Sequence, residues 1–335
     1  MFSGKNILIV GGTGTIGQAL VKRLVGLNPK VIRIYSRDEY KQFLMQEELH
    51  DYPNIRFLLG DVRDRERLGR AMHEIDIVFD FAALKHVPAC EYNPFEAVKT
   101  NVMGTQNVIE CAIENKVGKV IYSSSDKAVS PTNTMGATKL LAERLISSAD
   151  FAKGGEIPLF AAVRFGNVIG SRGSVIPLWE SQIKQSKYIT VTDPEMTRFM
   201  MSTAQAVDLV IKACELVRGG EVFVLKMPTI KLGDLAGVVI QDACKKYGIP
   251  HEDITISQIG LRPGEKPYEE LMTSQESSAA VEYDRMFAII PHHKIDRIAD
   301  YGVKRAELGE YSSHNEKPLT VEEIKQLLTA IHTAT

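Results

Sequence analysis

The run Ile7-Leu8-Ile9-Val10-Gly11-Gly12-Thr13-Gly14-Thr15-Ile16-Gly17 sets the architecture of the first part of this chain. Apolar residues of a strand lead directly into glycines, and the segment from Gly14 to Leu27 has apolar residues at helical spacing. A strand, a glycine-rich turn and a helix in this order are the setting that a dinucleotide-binding loop requires. Without side chains, backbone N–H groups can approach a pyrophosphate at the positive end of the helix. A tight turn without a ligand is the alternative, and the position of the glycines favours a cofactor. The candidate contacts are Gly11, Thr13, Gly14, Thr15, Ile16 and Gly17.

Short apolar runs alternate with helical patterns through the first half of the chain. After Ile7–Val10, the runs of strand length are Val31–Tyr35, Ile55–Leu59, Ile77–Phe81, Val117–Ser123 and Leu159–Val163. Helical spacing appears between several of them, as in Thr100–Asn115. This alternation is typical of a parallel sheet covered by helices on both faces. We therefore predict an α/β protein with a Rossmann-like, doubly wound parallel sheet.

The pattern changes after Arg164, where proline and glycine become frequent and the strand–helix rhythm is lost. We predict a cofactor-binding domain over residues 1–165 and a smaller substrate-binding region over residues 166–335, interleaved with the sheet.

Near the end of the chain, Thr320 and Glu323 form a capping pattern that predicts a helix over Thr320–Thr329.

The composition excludes several classes of protein. Of 335 residues, 44% are hydrophobic and 24% charged, which excludes disorder, collagen and a coiled coil. The formal net charge of −2 gives no basic excess, so no nucleic-acid partner is expected. The four cysteines form no C-x-x-C pair and no two histidines have metal-ligand spacing, so neither a disulfide framework nor a metal is expected.

No run approaches the ~18–20 apolar residues of a membrane span, and no signal peptide fits before Ile7. We expect a cytoplasmic protein.

The end of the second strand bears on the choice of cofactor. An acidic residue there would bond the ribose 2′-hydroxyl and favour NAD, but this strand ends in Ser36 and Arg37. These two residues, with Lys41 one helical turn later, can bind a 2′-phosphate. Asp38 is an acidic residue close to this strand end and would favour NAD. It follows Arg37, however, and can cap the next helix. The sequence therefore favours NADP over NAD, and the alternative for Arg37 and Lys41 is a solvated helix start.

Two further strand ends supply candidate cofactor contacts. Asp61 and Val62 follow the third strand, where a carboxylate can bond the adenine amino group or simply cap a helix. Ala82 and Ala83 follow the fourth strand, where small residues let the backbone pass close to a ribose.

A hydroxyl at the end of the fifth strand, Ser125, is followed by Asp126 and Lys127 and then by a helix that carries Met135 and Lys139. A strand-end hydroxyl with a lysine on the next helix resembles the extended short-chain dehydrogenase/reductase superfamily, whose helix usually reads Tyr-x-x-x-Lys. The resemblance implies that Lys139 holds the nicotinamide ribose. Met135 occupies the tyrosine position, and a thioether cannot transfer a proton. Because Met135 and Lys139 share a helix face, Met135 faces the substrate or fills the core, and proton transfer must come from other residues.

A narrower resemblance extends over almost the whole chain. The chain resembles the nucleotide-sugar 4,6-dehydratases, and within them the UDP-N-acetylglucosamine 4,6-dehydratases of bacterial polysaccharide, flagellin-sugar and nonulosonic-acid pathways. Some members of that group carry methionine at the helix position. The matching segments are 36–39, 60–64, 83–88, 91–94, 99–101, 126–128, 164–168, 170–175, 196–199, 262–266 and 311–315.

The resemblance implies a reaction and roles for the strand-end residues. NADP⁺ takes hydride from sugar carbon 4, water is lost across carbons 5 and 6, and the hydride returns to carbon 6. Lys127 is implied as the base at carbon 5, Asp126 as the acid for the carbon 6 hydroxyl, and Ser125 as the partner of the carbon 4 oxygen. Lys127 must be neutral to act, so we expect its pKa to be lowered by burial or by Lys139. Which of Asp126, Lys127 and Lys139 deprotonates the carbon 4 hydroxyl stays open.

The resemblance also implies substrate contacts, which would otherwise be ordinary loop residues. Guanidinium groups suit a diphosphate, and a carboxylate suits ribose hydroxyls. The candidates are Lys85, His86, Asn167, Arg172, Thr192, Arg198, Arg262 and Glu265.

Several alternatives are weighed against this interpretation. A GDP-linked substrate, a 4-epimerase or dehydrogenase of the same fold, and a non-catalytic nucleotide sensor are the three considered. An epimerase has no need of an acid and a base beside Ser125, and a sensor has no reason to keep Ser125, Asp126, Lys127 and Lys139 together. The superfamily resemblance further implies a homo-oligomer, a dimer or larger, in which the helices over residues 101–115 and 136–148 pair across a two-fold axis.

Overall fold

The computed structural model describes residues 1–171, 174–261 and 264–332. Its strands are β1 (Asn6–Val10), β2 (Val31–Ser36), β3 (Ile55–Leu59), β4 (Ile77–Asp80), β5 (Lys119–Ser125), β6 (Leu159–Phe165), β7 (Asn167–Val168), β8 (Tyr188–Val191), β9 (Thr197–Met201), β10 (Glu221–Leu225), β11 (Thr229–Lys231), β12 (Thr255–Gln258), β13 (Glu270–Met272), β14 (Ala280–Glu282), β15 (Met286–Ile289) and β16 (Tyr311–Ser312).

The α-helices are α1 (Thr15–Val25), α2 (Glu39–Glu48), α3 (Arg65–Met72), α4 (Val87–Tyr92), α5 (Pro94–Ala97), α6 (Gly104–Glu114), α7 (Thr134–Ala152), α8 (Val175–Ser186), α9 (Thr203–Leu216), α10 (Leu232–Tyr247), α11 (Ser274–Ser277) and α12 (Val321–His332). A π-helical turn over Val98–Met103 leads into α6, and Asp126–Ala128 forms a single 3₁₀ turn directly after β5. Among the helices of the described residues, none is long and apolar enough to cross a bilayer.

Within the described residues, a nine-stranded sheet runs in the order β14-β15-β10-β6-β5-β4-β1-β2-β3. From β3 to β10 every neighbouring pair is parallel, and β15 and β14 add antiparallel at the far edge. The strand order reverses between β1 and β4, and such a reversal opens a crevice beyond the carboxyl ends of the strands. The predicted doubly wound α/β sheet is confirmed. Its last three strands, β10, β14 and β15, come from residues after 165.

The central strands are apolar along their length because helices cover both faces of the sheet. Ile7 to Val10 of β1 are fully buried, as are Phe160 to Val163 of β6. A second apolar core lies around Trp179 of α8 and packs α8, α10 and α12 together. The large sheet core fixes the ends of the strands at one wall of the crevice, and the second core supports the opposite wall.

A buried cluster of three ionised side chains ties β6 to the C-terminal part of the chain. Arg164 is 1% exposed and donates to both carboxylate oxygens of Glu143, at 2.6 and 2.9 Å, and to both of Glu276, at 2.7 and 2.9 Å. A fifth bond reaches the carbonyl oxygen of Leu271 at 2.9 Å. The guanidinium thus uses a full set of five donors. We call Arg164, Glu143 and Glu276 the structural ion cluster.

Candidate active site

An open cavity of about 860 Å³ lies beyond the carboxyl ends of β1, β4 and β5. Its walls come from the loop after β1, the ends of β2 and β3, helix α7, and the segments around β7 and α8. Every residue that the sequence predicted for the site lines this cavity, with two exceptions. Arg172 and Arg262 lie outside the described residues. The structure therefore brings the cofactor, catalytic and substrate candidates to one place, and their individual roles stay predictions.

The loop after β1 has the geometry of a phosphate cradle. Gly11 has φ of +74°, and a Cβ there would lie 2.7 Å from the backbone nitrogen of Ala82. A Cβ at Gly17 would lie 2.7 Å from the carbonyl oxygen of Gly12. Gly14 is the N-cap of α1 and supplies no side-chain acceptor for the N–H groups of the first helical turn. These N–H groups at the positive helix end suit a diphosphate, so the residues present fit a dinucleotide.

The end of β2 places hydroxyl and basic groups beside this cradle. Ser36 is buried and accepts a hydrogen bond from the Thr13 hydroxyl at 3.0 Å. The side chain of Arg37 is 57% exposed at the cavity edge, 3.6 Å from a carboxylate oxygen of Asp61. Asp38 caps α2 through the backbone N–H of Lys41 at 3.0 Å and also pairs with the Lys41 ammonium. The suggested capping role of Asp38 is confirmed, so this carboxylate is already engaged at the helix start.

Asp61 itself is held by basic neighbours. Burial disfavours its carboxylate, but hydrogen bonds from Arg63 outweigh that cost, and the pKa of Asp61 is lowered. Arg63 donates to it at 2.9 Å from Nη2. The side chain therefore stays an acceptor at the cavity wall, as the prediction of an adenine contact requires.

Lys139 lies on the floor of the cavity behind the strand ends. Its Nζ donates to the carbonyl oxygen of Ser123 at 2.7 Å and sits 4.6 Å from the centre of the Tyr122 ring. Burial lowers the pKa of Lys139 to about 8, against the attraction of Asp80. Burial also raises the pKa of Asp80 to about 7, although the backbone N–H of Ala82 donates to it. Sequence reasoning missed Asp80, whose only signal is its position at the end of β4.

Met135 stands on the same face of α7 as Lys139 and is 3% exposed. It packs in a small apolar cluster with Cys90 and Ala97, and it also lines the cavity. Met135 therefore fills a gap between α4, α5 and α7, as one of the two roles considered for it requires, and its role of facing the substrate stays a prediction.

The strand-end residues form a hydrogen-bonded group that we call the acid–base cluster, consisting of Ser125, Asp126, Lys127 and Glu269. The Ser125 hydroxyl donates to Oδ1 of Asp126 at 2.7 Å, and Nζ of Lys127 donates to Oδ2 of Asp126 at 2.8 Å. Nζ of Lys127 also lies 3.8 Å from Oε1 of Glu269. The single 3₁₀ turn at the end of β5 brings Ser125, Asp126 and Lys127 together, since Ser125 is its N-cap, and Glu269 comes from the residues just before β13.

The charges in this cluster give Lys127 a pKa opposite in direction to the lowered value that we expected from the sequence. Burial favours the neutral amine, but the attraction of Asp126 and Glu269 outweighs it, and the pKa of Lys127 is raised instead of lowered. For Asp126, burial is likewise outweighed by Lys127, and the pKa is lowered. The free protein thus holds an ion pair. The expectation was wrong because it considered burial and Lys139 and left out the attraction of two carboxylates, first that of Asp126 and then that of Glu269.

Glu269 is that second carboxylate, and sequence reasoning missed it. It is 7% exposed and accepts hydrogen bonds from Nδ2 of Asn167, at 2.9 Å to each oxygen, and from the backbone N–H of Phe199 at 3.0 Å. Burial and the neighbouring Asp126 raise the pKa of Glu269 to about 7. The run from Glu265 to Glu270 contains three carboxylates, and nothing in the sequence distinguishes the one that turns inward.

The remaining substrate candidates lie around the outer part of the cavity. Arg198 donates to the carbonyl oxygens of Thr197 and Lys266 at 2.8 and 3.0 Å and lies 3.5 Å from Oε1 of both Glu265 and Glu269. Thr192 is almost buried. The other two candidates, Lys85 and His86, follow β4 and line the cavity. Burial lowers the pKa of Lys85.

The sequence matches the model of a known family over most of its length. The family is described as polysaccharide biosynthesis protein, and the match covers residues 7–291. The chain belongs to this family. A relative from Campylobacter jejuni named UDP-N-acetylglucosamine 4,6-dehydratase (inverting) is 41% identical over 343 residues, covering 99% of this chain and 98% of the relative. A relative from Rickettsia rickettsii named UDP-glucose 4-epimerase is 45% identical over 340 residues, covering 99% and 97%. The predicted resemblance to the nucleotide-sugar dehydratases is confirmed.

Solved structures agree with the fold. The X-ray structure of Pen from Bacillus thuringiensis is 53% identical in sequence, has a TM-score of 0.92 and covers 98% of both chains. The chain thus matches this solved structure nearly end to end.

Proposed function

We propose that this chain is a UDP-N-acetylglucosamine 4,6-dehydratase that forms a UDP-4-keto-6-deoxy-N-acetylhexosamine. The observation that carries the proposal is the hydrogen-bonded pair of Asp126 and Lys127 at the cavity wall, directly beside Ser125. Loss of water from carbons 5 and 6 needs one group that removes a proton and another that supplies one. The relative from Campylobacter jejuni, named for this activity, supports the same substrate.

The cavity provides for each part of the reaction. When bound, the nicotinamide supplies the hydride acceptor for carbon 4 and the donor for carbon 6. Lys139 holds the nicotinamide ribose, and Ser125 binds the carbon 4 oxygen. The Lys127 ammonium passes its proton to Asp126 along their 2.8 Å hydrogen bond. Lys127, now the amine, takes the proton from carbon 5, and Asp126, now the acid, protonates the departing carbon 6 hydroxyl. The new ketone acidifies carbon 5, so oxidation precedes elimination.

The outer residues hold the nucleotide part of the substrate. Arg198 presents a guanidinium whose orientation is fixed by the carbonyl oxygens of Thr197 and Lys266, and such a group suits a diphosphate. Glu265 lines the cavity beside it and suits a ribose hydroxyl. The amide nitrogen of Asn167 is already bonded to Glu269, so Asn167 contributes by fixing that carboxyl group as well as by lining the cavity.

A 4-epimerase is the second candidate, because relatives from Rickettsia carry that name at slightly higher identity. Epimerisation changes carbon 4 alone and leaves carbons 5 and 6 intact. A buried acid and a lysine beside Ser125 have no task in that reaction. The acid–base cluster therefore favours the dehydratase.

One incubation separates the candidates. Purified protein is mixed with UDP-N-acetylglucosamine, GDP-N-acetylglucosamine or UDP-glucose without added cofactor, and products are identified by mass spectrometry and NMR. A 4-keto product that has lost one water from the UDP-N-acetylglucosamine is expected. A 4-epimer without loss of water would establish the epimerase instead. Turnover of the GDP-linked sugar alone would show that the nucleotide of the substrate is GDP and not UDP.

We propose NADP as the cofactor, on the strength of Ser36, Arg37 and Lys41 beside the phosphate cradle. A charge-assisted hydrogen bond contributes about 1.5–3 kcal/mol. Arg37→Ala is therefore expected to weaken NADP by roughly 10–150-fold while affecting NAD far less, measured by titration calorimetry. Arg70→Ala removes an exposed arginine of α3 that pairs with Glu66 and serves as the control. Equal losses for both cofactors would contradict the assignment.

We also propose that two copies assemble through α6, α7 and the turn before α6. Met103 and Leu141 are each about half exposed there, which is the kind of surface that a two-fold interface covers. Light scattering at micromolar concentration is expected to show a dimer or a larger assembly, and a monomer would contradict this proposal.

A further inference from the structure

Asp80 is a buried carboxyl group to which the proposed reaction gives no task. It ends β4, is 1% exposed and is not among the residues that line the cavity. The backbone N–H of Ala82 donates to its Oδ1 at 3.1 Å. Its Oδ2 is buried and has no hydrogen-bond partner among the described residues. A buried carboxylate with so few partners is costly unless an opposite charge lies nearby, so a cation beside Asp80 is expected.

Lys139 is the cation that shares a face of the sheet with Asp80. The strand register pairs Asp80 with Tyr122 of β5, and paired residues of neighbouring strands present their side chains to the same face. Nζ of Lys139 lies 4.6 Å from the centre of the Tyr122 ring and donates to the carbonyl oxygen of Ser123 at 2.7 Å. Asp80 therefore acts on Lys139 by charge attraction and not by a hydrogen bond.

A second carboxylate, Glu143, also attracts Lys139 from one turn further along α7. Its charge is already balanced, because Arg164 donates to both of its oxygens at 2.6 and 2.9 Å. Among the described residues, Asp80 has only the backbone N–H of Ala82 as a hydrogen-bond donor. The charge of Asp80 is therefore the one left to act on Lys139.

The other titratable groups around Lys139 keep one charge state or are paired elsewhere. Burial raises the pKa of the Tyr122 hydroxyl well above its ordinary value, so this hydroxyl stays neutral. Asp126 and Lys127, in the 3₁₀ turn that packs against α7, are bonded to each other at 2.8 Å. The charge of Lys139 near neutral pH therefore depends chiefly on Asp80.

We infer that Asp80 is a positioning residue, which keeps Lys139 charged at the place where Lys139 binds the ribose of the nicotinamide cofactor. The inference rests on the proposed function only in placing that ribose at Lys139. Because Asp80 does not line the cavity, it acts on the cofactor through the lysine alone.

The charge of Lys139 decides how strongly it binds a ribose hydroxyl. An ammonium group has three donors. The carbonyl oxygen of Ser123 takes one of them, and the face of the Tyr122 ring stabilises the cation. Among the described contacts, the remaining donors are left for a ligand in the cavity, which Lys139 lines. A hydrogen bond from a charged donor is stronger than one from a neutral amine, so loss of the charge weakens cofactor binding.

The pH range in which Asp80 matters follows from the two groups. Burial raises the pKa of Asp80 to about 7 and lowers that of Lys139 to about 8. Asp80 is thus a carboxylate above pH 7, Lys139 is an ammonium below pH 8, and both are charged between these values. Asp80→Asn is neutral at every pH, so its Lys139 is expected to lose the proton about one pH unit lower or more.

NMR of the cofactor-free protein measures the charge of Lys139 directly. Lysine labelled with ¹³C at Cε is incorporated, and the signal of Lys139 is identified by its loss in Lys139→Met. In the wild-type protein this signal is expected to titrate near pH 8. In Asp80→Asn, which keeps an oxygen for the N–H of Ala82, it is expected to titrate about one pH unit lower or more.

Calorimetric titration with NADP⁺ and with NAD⁺ shows the consequence for binding. At about pH 7.5, Asp80→Asn is expected to bind the dinucleotide roughly 3- to 10-fold more weakly than wild type, because its Lys139 is mostly neutral. At about pH 9, where Lys139 is mostly neutral in both proteins, equal affinities are expected. ADP has no nicotinamide ribose and is expected to bind both proteins equally at either pH.

Matched variants separate charge from structure. Asp76→Asn neutralises a carboxylate just before β4 that pairs with Lys5 at 3.0 Å, and it is expected to leave the titration of Lys139 and the affinity for dinucleotides unchanged. In Lys139→Met, Asp80 has no lysine to act on, so adding Asp80→Asn is expected to cause no further loss of affinity. Thermal midpoints show whether each variant is folded, and Asp80→Ser is measured alongside as a second neutral variant.

Either of two results would overturn the role of Asp80. One is the same titration of Lys139 in Asp80→Asn and in wild type. The other is a loss of affinity that is equal at both pH values, or equal for ADP, as a structural defect would cause. Neither result bears on the proposed function, which instead fails if the wild-type protein does not dehydrate UDP-N-acetylglucosamine.

Discussion

The structural ion cluster and the acid–base cluster both bring charged side chains together, and most of these are buried, although the Lys127 side chain is 34% exposed. The two clusters differ in how well charge and geometry are matched. In the first, the planar fork of Arg164 meets two carboxylates at 2.6 to 2.9 Å. In the second, Lys127 makes one short bond to Asp126 and a longer contact of 3.8 Å to Glu269. The bidentate pairs of Arg164 fix both its charge and its position. The ammonium group of Lys127 is a compact charge between two carboxylates, and its protons are easier to transfer.

The pKa directions follow the same difference. Although burial opposes both charges, the pKa of Arg164 is raised and that of Glu276 lowered, so each charge is locked in place. In the acid–base cluster the two carboxyl groups move in opposite directions, with Asp126 lowered and Glu269 raised. Two like groups with separated pKa values are the pattern of acid–base chemistry. Only the acid–base cluster opens onto the cavity, so burial alone does not mark a reactive group.

The largest expected effect comes from removing the lysine of the acid–base cluster. Lys127→Met is expected to lower the dehydration rate by about 100–10,000-fold, because general base catalysis at carbon 5 is lost. Single-turnover kinetics in deuterated water measure this rate, and the variant is also expected to stop deuterium from entering carbon 5. Deuterium uptake at the wild-type rate would remove Lys127 from the base role.

Removing the arginine of the structural ion cluster is expected to affect stability. Arg164→Met leaves the buried Glu143 and the partly buried Glu276 without their partner, which costs about 3–5 kcal/mol of the free energy of unfolding. Urea denaturation of the variant and of Arg23→Met, which changes an exposed arginine of α1, provides the comparison. A loss as small as that of the exposed arginine would show that the cluster does not hold β6 in place.

The charge of Glu269 makes stability depend on pH. Its pKa is about 7 in the folded protein, above the ordinary 4.5. Its contribution to stability is therefore fully present below pH 4.5 and is lost as the pH rises through 7. Glu269→Gln does not titrate, so its stability relative to wild type is expected to improve between pH 4 and pH 8 by on the order of 3 kcal/mol. Urea denaturation at several pH values checks this, and parallel curves for the two proteins would contradict it.

The smallest effect is expected for the methionine that replaces the tyrosine. Met135→Leu keeps an apolar side chain of similar volume in the cluster with Cys90 and Ala97, and such exchanges usually cost less than about 1.5 kcal/mol. The same single-turnover measurement is expected to show a change of less than about tenfold. A variant as inactive as Lys127→Met would move the chemistry from the strand end to the helix face.

Local patterns in the sequence predicted much of the fold and part of the site. The strand–glycine–helix order around Gly11 and the apolar runs identified the sheet, although the predicted strand ends differ by up to two residues, as at β5. Asp126 and Lys127 were recognisable because they are adjacent to each other and to Ser125. The inward turn of Glu269 was not, because it depends on Asn167 and the backbone of Phe199, which are distant in sequence. The error in the Lys127 pKa follows only in part from that missing contact, because the larger attraction comes from the adjacent Asp126.

A ribosome delivers the strands of the large sheet in chain order, so β6 is made before the strand that covers its outer edge. Strands β1 to β6 are complete at Phe165, yet β10, which pairs with β6, ends only at Leu225. At about 5–20 residues per second, the edge of β6 stays without its neighbour for several seconds. An uncovered apolar edge strand is the feature through which nascent chains pair with one another. Aggregation during synthesis is therefore expected to depend on translation speed between these two strands.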